Sequence, residues 1–552
     1  MAKNLKAELE NLPAAAAEFI ELVIRKMRYR KKIRSDVMAE LIAHFEDELK
    51  GCADGEEKER KAQELVAQFG DAKLLGVLLR KAKKRCRPLW RTVAAKTFQA
   101  AAVLILCLIV YTIWFLSGKP NITVDYVAEL NRIVRPTADE SLNAAPFYGK
   151  AIQVYEEKAS DEISELLRKK YEEVTAEQKE TIEKWLNDNK EIFNLVLAGT
   201  DKPYYWPEYR ETEGREGEGV ISVIMPNLSE FRRIVWALRW RAWLSAENGL
   251  CEDAFNDLMV CYRLSRHLTG DLTLVEQLVG IAMMSLANNT IRDILSEHQI
   301  DSDTLAELQK EFEETTDDKS FAISFKTERL MLYDGLQRCF TAGPDGHVIP
   351  KRLVELLSSA GGNAEIADSE NILVRTLLLS AAYMLFLHPD RDETLKSGNA
   401  FYDYYEELAL QTPAKTKIYR EERDAELKEL CKKNFILSVL MPALDRVIQI
   451  SYRLSADVKG TMAVIALLRH EQDTGFYPES LEELVTSGYM KGIPMDPWSD
   501  RPLVYRKTED DFILYSVSFN FTDDGGQVYR DDEGGPRLWA EESDAVFWPV
   551  GE

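Results

Sequence analysis

The sequence predicts a mainly α-helical membrane protein with four parts. These are a helical bundle head at residues 1–92, a single transmembrane helix at 97–116, an exported α-helical body at 119–434, and a C-terminal α+β domain at 435–552 with a small antiparallel sheet. Three observations support this fold class. One apolar run is long enough to cross a bilayer, apolar residues recur every three to four positions through most of the chain, and short strand-like runs occur near the C-terminal end.

The apolar run TFQAAAVLILCLIVYTIWFL at residues 97–116 contains no charged residue. A helix of this length spans roughly 30 Å, the thickness of the hydrocarbon core of a bilayer. Basic residues crowd its N-terminal side: Lys81, Lys83, Lys84, Arg85, Arg87, Arg91 and Lys96. The positive-inside rule therefore predicts a single-pass protein of the bacterial cytoplasmic (inner) membrane, with residues 1–96 in the cytoplasm and the part after Lys119 exported. The lipid bilayer is then a partner.

Two other interpretations of the apolar run are weaker. A buried core helix rarely lacks charge over such a length. A cleaved signal peptide would lie nearer the start of the chain, without a folded-looking stretch before it. The run is therefore expected to remain as an anchor.

Charge divides the chain at the apolar run. Residues 1–96 hold 22 Lys and Arg against 15 Asp and Glu, a net charge of +7, so the rest of the chain carries −30 for the total of −23. An exported part this acidic has little to neutralise phosphates, so no nucleic-acid partner is expected.

No catalytic or zinc motif is present. The sequence lacks GxSxG, a P-loop, HExxH and CxxC, so no catalytic residue is assigned and the protein is expected to be non-catalytic. Four cysteines fall in the exported part: Cys251, Cys261, Cys339 and Cys431. Their spacing leaves two interpretations open, up to two disulfides of undetermined connectivity or free buried thiols.

The head shows four amphipathic helical patterns. Ser35 is a plausible N-cap of the second, and Gly70 ends the third before Asp71 caps the fourth. The following motifs occur in order: Ile33-Arg34 to Glu40-Leu41, His44-Phe45-Glu46, Phe69-Gly70-Asp71 and Arg87-Pro88. They resemble the helical anti-sigma-like (HAAS) prefix domain found before membrane spans in bacterial proteins, over residues 18–90. The resemblance implies a regulatory or docking role.

The exported body is interrupted by a long loop at residues 199–227 that is rich in aromatic, glycine and acidic residues. Two interpretations of its tyrosines and Trp206 remain open, a binding surface or packing over the helices. A second apolar run, at residues 376–387, suits a buried helix because twelve residues are too few to span a membrane.

The C-terminal region begins with a long helix that reaches His470, and two strand-like runs follow at residues 503–505 and 512–517. Its motifs, in order, are Met441-Pro-Ala-Leu444, Gly475-Phe-Tyr-Pro478, Asp496-Pro-Trp498, Leu514-Tyr-Ser516 and Asp523-Asp-Gly-Gly526. Together they resemble the type II secretion major pseudopilin family over residues 435–549. Charged residues at 428–433 replace the apolar pilin helix. The resemblance therefore implies a pseudopilin-like domain in place of a filament subunit.

The same resemblance implies a calcium site, because the family binds Ca²⁺ in an acidic C-terminal loop. Carried over by position, the metal ligands are Ser516, Asn520, Asp523, Asp524 and Asp544. Oxygen donors of this kind are what Ca²⁺ prefers. Ser518 and Phe521 stand where the family usually has glycine. The alternative to a metal site is a turn whose aspartates accept hydrogen bonds from backbone amides.

These features favour a membrane-anchored envelope protein that acts in protein–protein interaction or scaffolding, with protein partners in the cell envelope and an undetermined oligomeric state. Two alternatives are a component of a type II secretion or pilus-like assembly and an envelope hydrolase without a recognisable motif. A deep cleft with two or more carboxylates of raised pKa would favour the hydrolase, whereas an open apolar patch or groove would favour binding.

Overall fold

A computed structural model describes residues 2–52, 55–85, 89–215, 217–223, 225, 227–316, 321–352, 388–434, 436–437, 444–530, 536–540 and 543–550. The chain forms two compact units, Met1–Trp114 and Phe115–Glu552, and each has its own hydrophobic core. The predicted fold class is confirmed as a mainly helical protein with one long apolar helix and small antiparallel sheets. The apolar run at 376–387 and the motif Met441-Pro-Ala lie outside the described residues.

The first unit begins with five helices: α1 (Ala2–Glu10), α2 (Ala14–Met27), α3 (Lys31–Leu49), α4 (Gly55–Phe69) and α5 (Ala72–Arg85). Their core contains Phe19, Phe45 and Phe69, whose ring centroids lie 5.6, 5.8 and 6.3 Å apart. These rings come from α2, α3 and α4, so their packing ties three helices together.

Local sequence patterns predicted one helix boundary in this unit correctly and another incorrectly. Gly70 has a φ of +74°, and the Asp71 carboxylate accepts a hydrogen bond from the Lys73 amide at 2.8 Å, which confirms the predicted junction of α4 and α5. The prediction of Ser35 as an N-cap is wrong, because α3 already begins at Lys31. The residues between them are good helix formers, and Ile33 packs against the core.

Helix α6 (Leu89–Leu116) contains the predicted span. Its segment Val93–Leu116 has a mean hydropathy of 2.3, and only 6% of its most apolar stretch is buried in the protein. The hydroxyls of Thr97 and Thr112 donate to the carbonyls four residues earlier, at 2.6 and 2.8 Å, so the helix satisfies its own polar side chains. Within the described ranges, this is the one helix long and apolar enough to cross a membrane.

The second unit opens with ten helices. They are α7 (Tyr126–Val134), α8 (Ala145–Lys158), α9 (Asp161–Arg168), α10 (Ala176–Asp188), α11 (Lys190–Thr200), α12 (Leu228–Glu247), α13 (Cys251–His267), α14 (Leu274–Glu297), α15 (Ser302–Thr315) and α16 (Lys326–Cys339). Helix α13 packs against both α12 and α14. In the loop before α12, Tyr205, Trp206 and Tyr209 are buried, so packing over the helices is confirmed for these three side chains.

The rest of the second unit combines helices and short strands. The helices are α17 (Arg391–Ala409), α18 (Pro413–Lys433), α19 (Leu444–Thr474) and α20 (Leu481–Thr486). The strands are β1 (Met495–Asp496), β2 (Arg501–Pro502), β3 (Val504–Lys507), β4 (Phe512–Ser516), β5 (Tyr529–Arg530), β6 (Pro536–Arg537) and β7 (Ala545–Trp548). They pair antiparallel in three sheets, β1-β2, β3-β4-β7 and β5-β6.

Helix α19 joins this region to the helical body. It packs against α14 and α15 on the body side and against β4 and β7 on the sheet side, and one hydrophobic core includes residues from all of them. Gly460 of α19 lies directly against the Phe547 ring of β7, where a Cβ atom would overlap that ring. The close approach of the sheet to α19 therefore depends on glycine at this position.

Three cysteines of the second unit have described side chains, Cys251, Cys261 and Cys339. Cys261 is a free buried thiol, which confirms that interpretation for this residue, whereas Cys251 is a free thiol that is only partly buried. Burial raises the pKa of the Cys261 thiol, so this group is an inert core residue. The side chain of Cys431 lies outside the described residues.

Candidate functional site

The sheet brings the predicted calcium ligands to one end of the C-terminal region. Ser516 ends β4 and pairs with Ala545 at the start of β7. This register places Asp544, which immediately precedes β7, beside the acidic loop that follows β4. The loop contains a 3₁₀ turn at Ser518–Asn520 and then Asp523 and Asp524.

Hydrogen bonds inside the acidic loop hold its carboxylates. Asp523 accepts from the Gly525 amide at 3.0 Å and from the Tyr515 hydroxyl at 2.8 Å. Asn520 donates its side-chain amide to Asp524 at 2.7 Å. The contact to Gly525 is the amide-capping role that the alternative to a metal site predicts.

The Ser516 hydroxyl binds the carboxylate of Asp496, which is not part of the acidic loop. This hydroxyl donates to Asp496 Oδ1 at 2.9 Å and accepts from the Ser518 amide at 3.1 Å, and the side chain is fully buried. Asp496 also accepts from the amides of Val517 and Trp498 at 3.0 and 3.1 Å. The Asp496-Pro-Trp motif therefore organises the turn after β4, and the Ser516 hydroxyl is committed to it.

Two non-glycine residues of the loop adopt the left-handed backbone conformation. Ser518 has a φ of +59° and Phe521 a φ of +61°. These are the two positions at which the resembled family usually has glycine. The backbone shape that glycine favours is thus kept, although a side chain makes that conformation less stable.

Asp544 is the most buried carboxylate of the predicted ligand set, at 1% exposed. Its Oδ2 accepts from the Gly526 amide at 2.7 Å, whereas its Oδ1 has no hydrogen-bond partner in the part of the chain that the structure describes. Burial raises the pKa of this carboxyl, and the amides of Gly526 and Asp524 oppose the rise. An oxygen left without a partner inside a protein costs about 1–3 kcal/mol, which a bound cation would offset.

The residues present therefore fit a calcium ion in part. Asn520, Asp523 and Asp524 offer hard oxygens on the loop, and Asp544 adds one from the residue before β7. The Oδ1 of Asp544 has no hydrogen-bond partner among the described residues, and a cation would supply one. The three carboxylates do not form a preassembled cluster within 4.8 Å, so the loop must close to coordinate an ion. Ser516 does not fit, because its hydroxyl is held by Asp496.

A cleft of about 470 Å³ opens beside Asp544. Its walls come from α12, α14 and β7. The lining residues that bear on its chemistry are Arg239, Trp243, Asp293, Glu297, Asp544 and Phe547. They come from three distant parts of the chain that meet because α14 and β7 both pack against α19.

Three carboxyls in this cleft have raised pKa values. Burial raises the pKa of Asp293 to about 6; Arg292 opposes this rise, and Glu172 and Glu297 add to it. Partial desolvation raises the pKa of Glu297, and the charges of Glu172 and Glu247 add to that rise. Burial raises the pKa of Asp544. Asp293 and Glu297 lie near the C-terminal end of α14, where the helix dipole disfavours negative charge. The cleft therefore brings together three carboxyls of raised pKa, the electrostatic part of what the hydrolase alternative requires.

Two of the arginines that line the cleft, Arg292 and Arg239, are bound into the fold. Arg292 donates to Asp457 Oδ1 at 2.6 Å, and both side chains are less than 5% exposed. Arg239 donates to the carbonyls of Leu167 and Lys169 at 3.0 and 2.5 Å, which caps the C-terminal end of α9. Both arginines act mainly as structural groups that fix the cleft walls.

A mixed cluster lies at the Glu297 edge of the cleft. Glu247, Glu297 and His298 each place one ligand atom within 4.8 Å of the others, and within the described ranges this is the one group of three or more such residues. Both glutamates are exposed. The cluster adds negative charge to that edge.

The head contains a groove of a different character, with a volume of about 1400 Å³. Apolar side chains from α1 to α4 line it: Leu9, Phe19, Leu22, Met38 and Val66. Five basic residues, Lys6, Arg25, Lys31, Lys32 and Arg34, and three acidic ones, Glu18, Glu21 and Asp36, complete its lining. The groove is therefore apolar with a net positive rim, and the criterion for a binding function is met in the head.

Sequence patterns did not reveal the cleft or the groove, because both are built by packing between distant segments. Comparisons with protein-family models, with curated proteins and with solved structures found no match for this chain.

Proposed function

We propose that this chain is a single-pass protein of the bacterial inner membrane whose cytoplasmic head binds a protein partner and whose exported body acts as a scaffold in the envelope. The observation that carries the proposal is the open groove of the head. Apolar side chains line it, and basic residues outnumber acidic ones by five to three at its rim. An acidic amphipathic helix of a cytoplasmic protein matches both properties.

The topology of the proposal rests on α6 and its flanks. The segment Val93–Leu116 is apolar and almost entirely uncovered by the rest of the protein, as a lipid-facing helix would be. Lysines and arginines before it favour a cytoplasmic head.

A photoreactive residue in the groove tests the head as a docking site. It replaces Leu22 in the full-length protein in native membranes, and the matched control replaces Leu74, which is 59% exposed and lies outside the groove. We expect an adduct from position 22 that is lost when Arg25 and Lys32 are both changed to Glu. A synthetic acidic helix from the captured protein should compete. Equal adducts from both positions, or no effect of charge reversal, would contradict the proposal.

The two family resemblances are part of the same proposal. A HAAS-like head accounts for a separate helical unit directly before the span. A pseudopilin-like C-terminal region accounts for the long helix α19 followed by the antiparallel sheet, and for the glycine-like backbone at Ser518 and Phe521. If the protein belongs to a type II secretion or pilus-like assembly, it should also co-purify with secretion components.

We also propose that Asn520, Asp523, Asp524 and Asp544 hold Ca²⁺. The ion would supply positive charge that draws the loop carboxylates together and completes the partners of Asp544 Oδ1. Calorimetry of the full-length protein in detergent should show binding that Asp544→Asn abolishes and that Asp510→Asn, in the exposed turn between β3 and β4, leaves intact. Absence of heat at millimolar Ca²⁺ would exclude the site.

An envelope hydrolase is the second candidate function, and the three raised carboxyl pKa values in the cleft are the observation that favours it. A carboxyl with a pKa near 6, as at Asp293, can donate a proton to a leaving group close to neutral pH. The second unit should then hydrolyse an envelope polymer, and Asp293→Asn should abolish that activity. Hydrolysis that persists in the Asp293→Asn variant would exclude Asp293 as the proton donor of the reaction.

A further inference from the structure

A second cavity in the exported unit shares no residue with the cleft. Its volume is about 800 Å³, and it lies among the end of α7, the loop after α11, the C-terminal end of α13 and α15. The residues that carry the argument are Lys202, Tyr204, Tyr205, Arg263, Arg266 and His267. Three cations and two tyrosines thus line a ligand-sized cavity, together with three carboxylates. Asp271 pairs with Lys326, Glu311 pairs with Arg263, and Glu314 is exposed at the edge.

The cations of this cavity are only partly neutralised. Arg263 pairs with Glu311, whereas Arg266 makes one long hydrogen bond of 3.4 Å to a backbone carbonyl. The Lys202 ammonium lies 5.1 Å from a phenylalanine ring centroid. Among the described residues, neither Arg266 nor Lys202 has a carboxylate within 4.0 Å. Arg266 and Lys202 therefore remain available to an anion, against one carboxylate of the lining, Glu314, that has no ion pair among the described residues.

Two buried donors at the same cavity lack partners. The Tyr205 hydroxyl and Arg263 Nε are shielded from solvent, yet neither has a hydrogen-bond partner in the described part of the chain. Tyr205 is 6% exposed. Buried donors without acceptors are uncommon in native proteins, and a ligand is one way to satisfy them.

The wall beside these donors is fixed by a neutral histidine. Burial lowers the pKa of His267 to about 4. Its Nε2 lies 2.9 Å from the Lys202 carbonyl oxygen, so Nε2 carries the proton and donates it there. Its Nδ1 then accepts from the Tyr148 hydroxyl at 2.7 Å. His267 therefore anchors the backbone of Lys202 at the cavity and contributes no charge at neutral pH.

We propose that this cavity binds a small organic molecule through an oxyanion, a carboxylate or a phosphate group. Arg266 and Lys202 supply the charge, and Arg263 Nε and the Tyr205 hydroxyl supply hydrogen bonds. The half-exposed ring of Tyr204, at 42% exposure, offers a flat apolar face for the rest of the ligand.

Calorimetry of the full-length protein in detergent tests this proposal with three probes: sodium phosphate, sodium glucuronate and neutral glucose. We expect at least one anion to bind at up to about 10 mM, with glucose much weaker. Binding of phosphate alone or of glucuronate alone assigns the group that the cavity prefers. Failure of both anions, or equal binding of glucose, overturns the proposal.

Three variants locate the binding. Arg266→Glu should weaken it more than tenfold, and Arg232→Glu, an equal charge change on the exposed face of α12, should leave it unchanged. Tyr205→Phe should weaken binding on the order of tenfold without lowering the thermal unfolding midpoint of the ligand-free protein, because the hydroxyl has no partner there. Unchanged affinity in both cavity variants would place the anion elsewhere and overturn the proposal.

Discussion

The substitution Asp293→Asn should stabilise the second unit at pH 8 and have no effect at pH 3. The pKa of Asp293 is about 6 in the folded protein, raised mainly by burial, and its ordinary value is 3.8. The folded state therefore holds the proton more tightly than the unfolded state, and stability falls as the pH rises from about 4 to 6. A shift of about two pH units corresponds to about 3 kcal/mol, an upper figure for what the charged form costs.

Urea unfolding of residues 119–552, followed by tryptophan fluorescence at several pH values, measures this effect. This fragment lies within the second compact unit, which has its own hydrophobic core. The gain from Asp293→Asn should grow across pH 4–6 and then remain constant. Asp188→Asn, on the exposed end of α10, is the matched control and should give no pH-dependent gain. A gain independent of pH, or none at pH 8, would refute the assignment of a buried charge to this cleft.

Three further predictions concern packing and topology. Arg292→Met should destabilise the same fragment by about 3–5 kcal/mol in urea unfolding, because it leaves the Asp457 carboxylate buried without its cation. The double variant that also carries Asp457→Leu should recover much of this loss. Gly460→Ala should lower stability by about 1–3 kcal/mol, since the new methyl overlaps the Phe547 ring; a loss below this range would mean that β7 moves away freely. A phosphatase reporter active only outside the cytoplasm should be active when fused after residue 552, and activity of a cytoplasm-only reporter at that point would reverse the predicted topology.

The parts of the fold that the sequence predicted are those set by local physics. A charge-free run of adequate length predicts a long apolar helix on its own, as α6 shows. Gly70 with Asp71 indicates a helix boundary because the left-handed turn and the capping carboxylate are adjacent. Ser35 was misassigned for the opposite reason. Its side chain is a good cap, but the helix formers before it and the packing of Ile33 extend α3 toward the N-terminus.

The candidate sites depend on contacts that no local pattern contains. The cleft joins Arg239, Asp293 and Asp544, and the ion pair that fixes one wall links residues 292 and 457. The acidic loop was found from its motif, yet the commitment of Ser516 to Asp496 required the register of β4 to be known. Long-range pairs of this kind are chosen by packing, so a single sequence gives no signal for them.

Asp544 connects the acidic loop to the cleft, so Ca²⁺ binding at the loop and protonation in the cleft depend on each other. Its Oδ2 is held by the Gly526 amide of the loop, while the same carboxyl lines the cleft that contains Asp293. A cation at Oδ1 would favour the charged form of Asp544 and place positive charge beside the cleft. Because opposite charge lowers a carboxyl pKa, the protonation of Asp293 would then depend on occupancy of the loop. Calcium binding and any acid chemistry in the cleft should therefore be measured together.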